Sequence, residues 1–267
     1  MTAKNILFIG AGNMGSAIIR GLLQSGYASD SLYFVEPSDV LSEELANQGL
    51  HRAASLEEGV SKADAVILCI KPQIFKTAAG SWKSAMAGLK KKPLFMSIMA
   101  GVSRKTMLEF LGEVEVTRIM PNLPMTVGKG VAAIATDGVS EESMTFIKSI
   151  FSPIAVTVEV PESGMDAVTG VSGSGPAYVF EFVEGLIRGG VQMGLSRETA
   201  TALTLGTLEG SLEMLRQSGK SPAELSAMVS SPGGTTIAAI QAMENAAFRG
   251  TLMKAVEAAT QRSKELG

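Results

Sequence analysis

The chain has 267 residues, 46% of them hydrophobic, and a formal net charge of −3. That length and composition support one large globular domain or two modest ones, and exclude a chain too polar to fold. The weak negative charge argues against nucleic acid as a partner. One cysteine excludes an intrachain disulfide, and one cysteine with one histidine excludes a Cys/His zinc site within one chain; no metal is expected.

The run Ile6-Leu7-Phe8-Ile9 is too short for the apolar core of a signal peptide, and glycines follow it at once. No apolar run approaches the ~18 residues that a membrane span requires. The lone cysteine fits a reducing compartment. The expectation is a cytoplasmic protein that engages neither membrane nor nucleic acid.

In chain order, continuous apolar runs at 5–9, 32–35, 65–70, 94–98 and 116–120 read as buried strands. Helix-like stretches at 16–25, 38–48 and 106–111 lie between them. Such alternation predicts a parallel sheet covered on both faces. Runs at 131–135 and 155–160 read as further strands at or near a sheet edge. Beyond about 161 the strand signals stop. Pro176 opens a helix towards Met193, Ser196 opens another to about Gln217, and Ser221-Pro222-Ala223-Glu224 is a capping box. One or two more helices follow Thr236. The predicted fold is α/β: an N-terminal Rossmann-type dinucleotide-binding domain over 1–160, then an all-helical domain over 161–267. Residues 200–214 carry few charges on any face, which suits a helix central in its domain or packed on a second copy; the favoured expectation is a homodimer.

The first strand runs straight into Gly10-Ala11-Gly12-Asn13-Met14-Gly15 and then a helix. In that setting G-x-G-x-x-G is a strong dinucleotide signal. Gly10 allows the tight turn, Gly12 lets a pyrophosphate reach the backbone, and Gly15 lets helix and strand pack closely. About 20 residues on, the second strand ends at Glu36. Its carboxylate suits a ribose 2′-hydroxyl, as in NADH, whereas Ser38 and Arg52 suit the 2′-phosphate of NADPH. Both cofactors stay open. Other strand ends face the same crevice: Ile70-Lys71-Pro72, Ala100-Gly101-Val102 and Met120-Pro121-Asn122. Each is broken by Pro or Gly where a nicotinamide would lie, and Lys71 and Asn122 are the polar groups available to orient it.

Two glycine-rich stretches remain. Residues 166–177 read as a Gly/Ser loop before a helix, suited either to close packing or to a pocket wall. Residues 229–244 run through Ser231, Gly233, Gly234, Thr235 and Thr236 into a helix. Free amides and the positive end of the helix dipole at such a start suit a small anion such as a carboxylate. The only histidine, His51, reads as a surface residue, and the lysines of the helical part, Lys220, Lys254 and Lys264, lie in hydrophilic or C-terminal settings. Hydride transfer to a ketone ordinarily needs a positioned acid. A protonated imine already carries its proton and needs mainly positioning and electrostatic fit.

On these residues the chain resembles the pyrroline-5-carboxylate reductases. The resemblance runs through the glycine fingerprint, Ile70-Lys71-Pro72, Ala100-Gly101-Val102, Met120-Pro121-Asn122, the stretch 166–178 and Ser230-Ser231-Pro232-Gly233-Gly234-Thr235-Thr236-Ile237. It implies a helical domain that dimerises, often within larger rings. It implies hydride transfer from NADPH or NADH to the C=N bond of 1-pyrroline-5-carboxylate, giving L-proline, the last step of this amino-acid biosynthesis. By position, Ile9, Gly10, Ala11, Gly12, Asn13, Met14, Cys69, Ile70, Lys71 and Pro72 would contact the cofactor. Met99, Ala100 and Gly101 would line the nicotinamide. Gly233, Gly234 and Thr235 would hold the substrate carboxylate beside Ser231. Thr236 would hydrogen-bond the ring nitrogen as the catalytic hydroxyl, with Thr169 close by and Glu162 near the substrate. The chain departs from the family pattern at Met99, Leu123 and Leu56; with Glu36, Leu56 leaves the cofactor choice open. A β-hydroxyacid dehydrogenase would need a lysine inside the helical domain, which the lysines above fit poorly.

Overall fold

The computed structural model describes residues 3–266 other than 81 and 87. β1 (Ile6–Ile9) leads into α1 (Asn13–Gln24), β2 (Leu32–Val35) into α2 (Asp39–Asn47) and β3 (His51–Arg52) into α3 (Leu56–Lys62). β4 (Ala65–Leu68) is followed by α4 (Pro72–Ala79) and α5 (Trp82–Ala85), and β5 (Leu94–Ser97) by α6 (Arg104–Leu111). Then come β6 (Val116–Pro121), a 3-10 turn at Leu123–Val127, β7 (Gly130–Ala135), α7 (Glu141–Phe151) and β8 (Ala155–Val160).

The eight strands form one sheet in the order β3-β2-β1-β4-β5-β6-β7-β8. The first six run parallel. β7 lies antiparallel to β6, and β8 parallel to β7. The order reverses between β1 and β4, the switch point beside which open α/β sheets bind ligands.

Alternation along the strands builds two apolar layers. Ile6, Phe8, Ile67 and Met96 point one way and meet Ile18 and Leu22 of α1, Leu45 of α2 and Ile147, Ile150 and Phe151 of α7. Leu7, Val66, Leu68 and Phe95 point the other way, against Val60 of α3, Phe75 of α4, Trp82 of α5 and Met107 and Leu111 of α6. Every residue of β1, β4 and β5 is buried, which explains their unbroken apolar sequence. β8 is the edge, with Val156 and Val158 exposed.

The structure corrects the stretch 166–177. It is helical: α8 (Met165–Val168), a π-helical turn at Thr169–Gly173 and α9 (Gly175–Gln192) follow almost without a break. A Cβ on Gly173 would lie 2.6 Å from Met120 Cε. The glycine that weakens the helix signal is thus the one that lets the turn close on β6. α3, α4, α5 and α7 are likewise additions to the elements read from sequence.

α10 (Arg197–Ser218) starts at Ser196, whose hydroxyl accepts from Thr199 N. α11 (Pro222–Met228) has the full capping box of Ser221 and Glu224. α12 (Thr235–Asn245) and α13 (Phe248–Leu266) complete the chain. The expected division at 160/161 falls at the end of β8. By compactness the chain splits into Met1–Ser174 with Glu257–Gly267, and Gly175–Val256. The Ser263 hydroxyl donates to Asp166 Oδ1 at 2.7 Å, fastening the chain end to the first unit.

α1 sits close to the segment before β8. A Cβ on Gly21 would stand 2.2 Å from Ile154 Cγ2, and Ile154 is buried. Gly21→Ala is therefore expected to destabilise the fold by about 1–3 kcal/mol, the usual range for overpacking. Urea unfolding checks this; an unchanged midpoint would contradict the packing.

Candidate active site

Backbone geometry at the end of β1 makes the first half of the site. Gly10 has φ +82°, a conformation that L side chains rarely adopt. Its amide donates to Val35 O at 2.9 Å. A Cβ there would meet Cys69 O and Ile70 Cγ2 at 3.1 Å, and one on Gly15 would meet Gly10 O at 3.1 Å. The turn, the start of α1 and the end of β4 thus pack with no room for a side chain. Gly12 differs: a Cβ there would meet nothing within 4 Å. It is also the N-cap of α1, with no side chain capping the helix. The first-turn amides of α1, from Asn13 onward, have no intrahelical acceptor and face this space with the positive end of the dipole. That is a fitting cradle for a pyrophosphate.

Glu36 follows β2 and is turned inward, 9% exposed. Its Oε2 accepts from Ala11 N at 2.7 Å and its Oε1 from Ser38 N at 2.9 Å. The carboxylate braces the glycine turn from behind. The Ser38 hydroxyl caps α2 by accepting from Leu41 N. Arg52 pairs with Asp39 at 3.6 Å, both exposed. Leu56 is the first residue of α3 and packs against the apolar layer that contains Leu7, Val66, Leu68 and Phe95.

The other strand ends supply the rest of the crevice. Lys71 is exposed and N-caps α4, with Pro72 at the first helical position. Burial pushes the Cys69 thiol well above its ordinary range, so it is not a nucleophile near neutral pH. Met99 is buried and its amide donates to Ser97 Oγ at 3.3 Å. Ala100 is half-buried, and Gly101 turns the chain with φ +76°. Asn122 is buried, and its Oδ1 accepts from Val131 N at 2.8 Å, tying β6 to β7. His51 is exposed and stacks on Tyr33, with ring centroids 5.2 Å apart.

Glu162 and Thr169 also belong to the first unit. Glu162 Oε1 accepts from Arg104 N at 3.0 Å and pairs with Arg118 Nη1 at 3.1 Å. Thr169 opens the π-helical turn, and its hydroxyl donates to Met165 O at 3.0 Å. Sequence reasoning passed over Arg104 and Arg118. The available signal was Arg118 itself, a charge inside the apolar run of β6.

The second unit carries the glycine-rich loop expected from sequence to hold a small anion. Gly233 has φ +70° and open space around it. Gly234 N donates to Ser231 O at 3.0 Å, closing a tight turn. Gly234 is the N-cap of α12 without a side-chain cap, so the amides of Thr235 and Thr236 in the first turn have no intrahelical acceptor. Thr236 is half-buried and Ser231 exposed. The first unit thus gathers Ile9 to Met14, Glu36, Ser38, Cys69 to Pro72, Met99 to Gly101 and Asn122 at the C-terminal ends of one sheet. The second unit gathers Ser231, Gly233, Gly234, Thr235 and Thr236 at one helix start.

Residues 162–266 match the family model described as pyrroline-5-carboxylate reductase dimerisation, and residues 5–101 match one described as NADP oxidoreductase, coenzyme F420-dependent. A pyrroline-5-carboxylate reductase of Synechocystis is 39% identical over 262 residues, covering 97% of each chain. The chain belongs to the pyrroline-5-carboxylate reductase family. Two solved structures agree. A pyrroline-5-carboxylate reductase from Coxiella burnetii superposes with a TM-score of 0.91 at 32% identity, covering 100% of this chain and 99% of that one. The Plasmodium falciparum pyrroline carboxylate reductase with NADP bound gives 0.88, also at 32% identity and with the same coverage.

The open space at Gly12 separates binding from folding. Gly12→Asp is expected to leave the unfolding midpoint of the ligand-free protein unchanged. It should weaken NAD(P)H binding by about tenfold or more, because a carboxylate would occupy the anion cradle. Fluorescence titration of the reduced cofactor checks this; unaltered affinity would contradict the cradle.

Proposed function

We propose that this chain is a pyrroline-5-carboxylate reductase, an oxidoreductase that reduces the C=N bond of 1-pyrroline-5-carboxylate with NADPH or NADH and releases L-proline. The observation that carries this reading is the uncapped start of α12. A tight Ser231–Gly234 turn there presents free amides and the Thr236 hydroxyl side by side.

When bound, NAD(P)H supplies the hydride. Gly10, Gly12, Asn13 and Met14 would hold its pyrophosphate at the start of α1, and Cys69 to Pro72 and Met99 to Gly101 would border its nicotinamide. Glu36 acts through Ala11, by fixing the turn. Gly233, Gly234 and Thr235 bind the substrate carboxylate through the backbone, with Ser231 beside them. Thr236 Oγ1 accepts a hydrogen bond from the protonated ring nitrogen and so fixes the face of the ring. Thr169 and Glu162 stand near the substrate. The imine carbon gains the hydride, the C=N π pair moves to nitrogen, and the resulting amine takes its second proton from water. No protein acid is consumed, in keeping with the single exposed histidine.

The proposed organisation is a Rossmann domain over 1–160 and a substrate-binding and dimerisation domain over 161–267. Phe180, Leu203, Leu212 and Met253 are half or more exposed, which supports a homodimer through the helices. A ring of dimers is the proposed higher state. The proposed setting is the cytoplasm, with an imino acid as small-molecule partner and neither nucleic acid nor membrane engaged. Among the described residues no helix is long and apolar enough to cross a membrane.

Loss of reduced-nicotinamide absorbance with 1-pyrroline-5-carboxylate tests the reading. Turnover is expected with at least one of NADPH and NADH, and its absence with both would overturn the proposal. Thr236→Ala should lower kcat at least about tenfold while the dissociation constant for NAD(P)H is kept. Equal kcat in the variant would remove the hydroxyl from the mechanism.

A further inference from the structure

Arg118 is buried and pairs with the half-buried Glu162, and the substrate reading gives the pair no role of its own. Arg118 lies in β6 and is 5% exposed. Its Nη1 is 3.1 Å from Glu162 Oε1, yet Arg118 Nε and Glu162 Oε2 are both buried with no hydrogen-bond partner. A pair kept for stability would be expected to engage both forks, since burying two charges costs several kcal/mol before their attraction is counted. This pair holds one oxygen in one place and leaves Arg118 Nε and Glu162 Oε2 unsatisfied.

That oxygen has a second duty. Glu162 Oε1 also accepts from Arg104 N at 3.0 Å, the first residue of α6. It therefore caps α6 from outside, next to the Ser103 hydroxyl that caps Thr106 N at 3.1 Å. Residues 98–103 link β5 to α6 and contain Met99, Ala100 and Gly101. The near end of this link is tied where Met99 N donates to Ser97 Oγ. Arg118 stands opposite Ser97 in the β5–β6 register. Glu162 is itself preset, because its amide donates to Asp137 Oδ2 at 2.5 Å. One carboxylate oxygen thus joins β6, the start of α6 and the segment after β8; it fixes the far end of the link directly, and its partner Arg118 lies beside the near end.

We infer that Glu162 and Arg118 are positioning residues that set the nicotinamide-side link 98–103 for hydride transfer, and that Glu162 acts through Arg104 N and Arg118 instead of contacting the substrate. The inference rests on the reductase reading. Glu162→Gln keeps the size and one acceptor and removes the charge. It should lower kcat about tenfold or more, raise the primary deuterium isotope effect on kcat, and leave the KM for 1-pyrroline-5-carboxylate and the affinity for NAD(P)H within about threefold. Arg118→Gln should show the same pattern, and the double variant should be no slower than the slower single one. If Arg118→Gln fails to fold, as judged by circular dichroism, the Glu162→Gln split and the isotope effect still decide. A raised KM with kcat kept would make Glu162 a substrate contact and overturn the inference. No turnover by the unaltered protein would instead overturn the reductase reading.

Discussion

The first unit depends on how closely α1 can approach β1 and β4. Gly10 and Gly15 leave 3.1–3.2 Å between their missing side chains and the backbone or Cβ of the opposing segment. With that approach, the end of β1, the start of α1 and residues 69–72 become three walls of one crevice at the switch point of the sheet. A methyl group at either glycine would crowd the end of β4 or the Gly10 turn, and at Gly10 it would also strain a backbone with φ +82°. The inward Glu36 belongs to the same construction, because its carboxylate takes the Ala11 amide and holds the turn.

The helical unit is built on a different balance. Its long helices are well capped, at Ser196 and Ser221 in particular, and α10 ends at a left-handed Gly219. Yet within Gly175–Val256 only Ile187, Ala200 and Thr204 are buried. Local capping supplies about 1 kcal/mol per helix end, far less than the burial of a few large apolar side chains at ~1.5–3 kcal/mol each. Helices of this composition gain their main stabilisation from a second copy, which is the physical content of a dimerisation domain. The glycine-rich turn at 231–234 sits at the start of one of these helices, so its geometry inherits the stability of the assembled unit.

Much of this architecture can be read from sequence, and the exceptions have physical causes. β1, β4 and β5 are legible because strands buried on both faces must be apolar throughout. The glycine fingerprint is legible because its turn admits nothing larger at Gly10. The helix over Thr169–Gly173 is not, since glycine lowers helix propensity and the compensating contact with Met120 lies in another strand. The site shows the same division. Gly12 and Gly233 announce themselves, whereas the inward turn of Glu36, the Asn122–Val131 tie and the Arg118–Glu162 pair join residues distant in sequence. Arg118 and Glu162 are 44 positions apart, and no spacing rule connects them.

Hydride transfer to the imine carbon of 1-pyrroline-5-carboxylate is the step on which the function rests. Its most direct test is the fate of the label when 1-pyrroline-5-carboxylate is reduced with NADPH or NADH deuterated at the transferable position of the nicotinamide. The account predicts L-proline carrying one deuterium on the ring carbon beside nitrogen and remote from the carboxylate, seen by mass spectrometry and NMR. Unlabelled proline, or label on the carbon that bears the carboxylate, would contradict it.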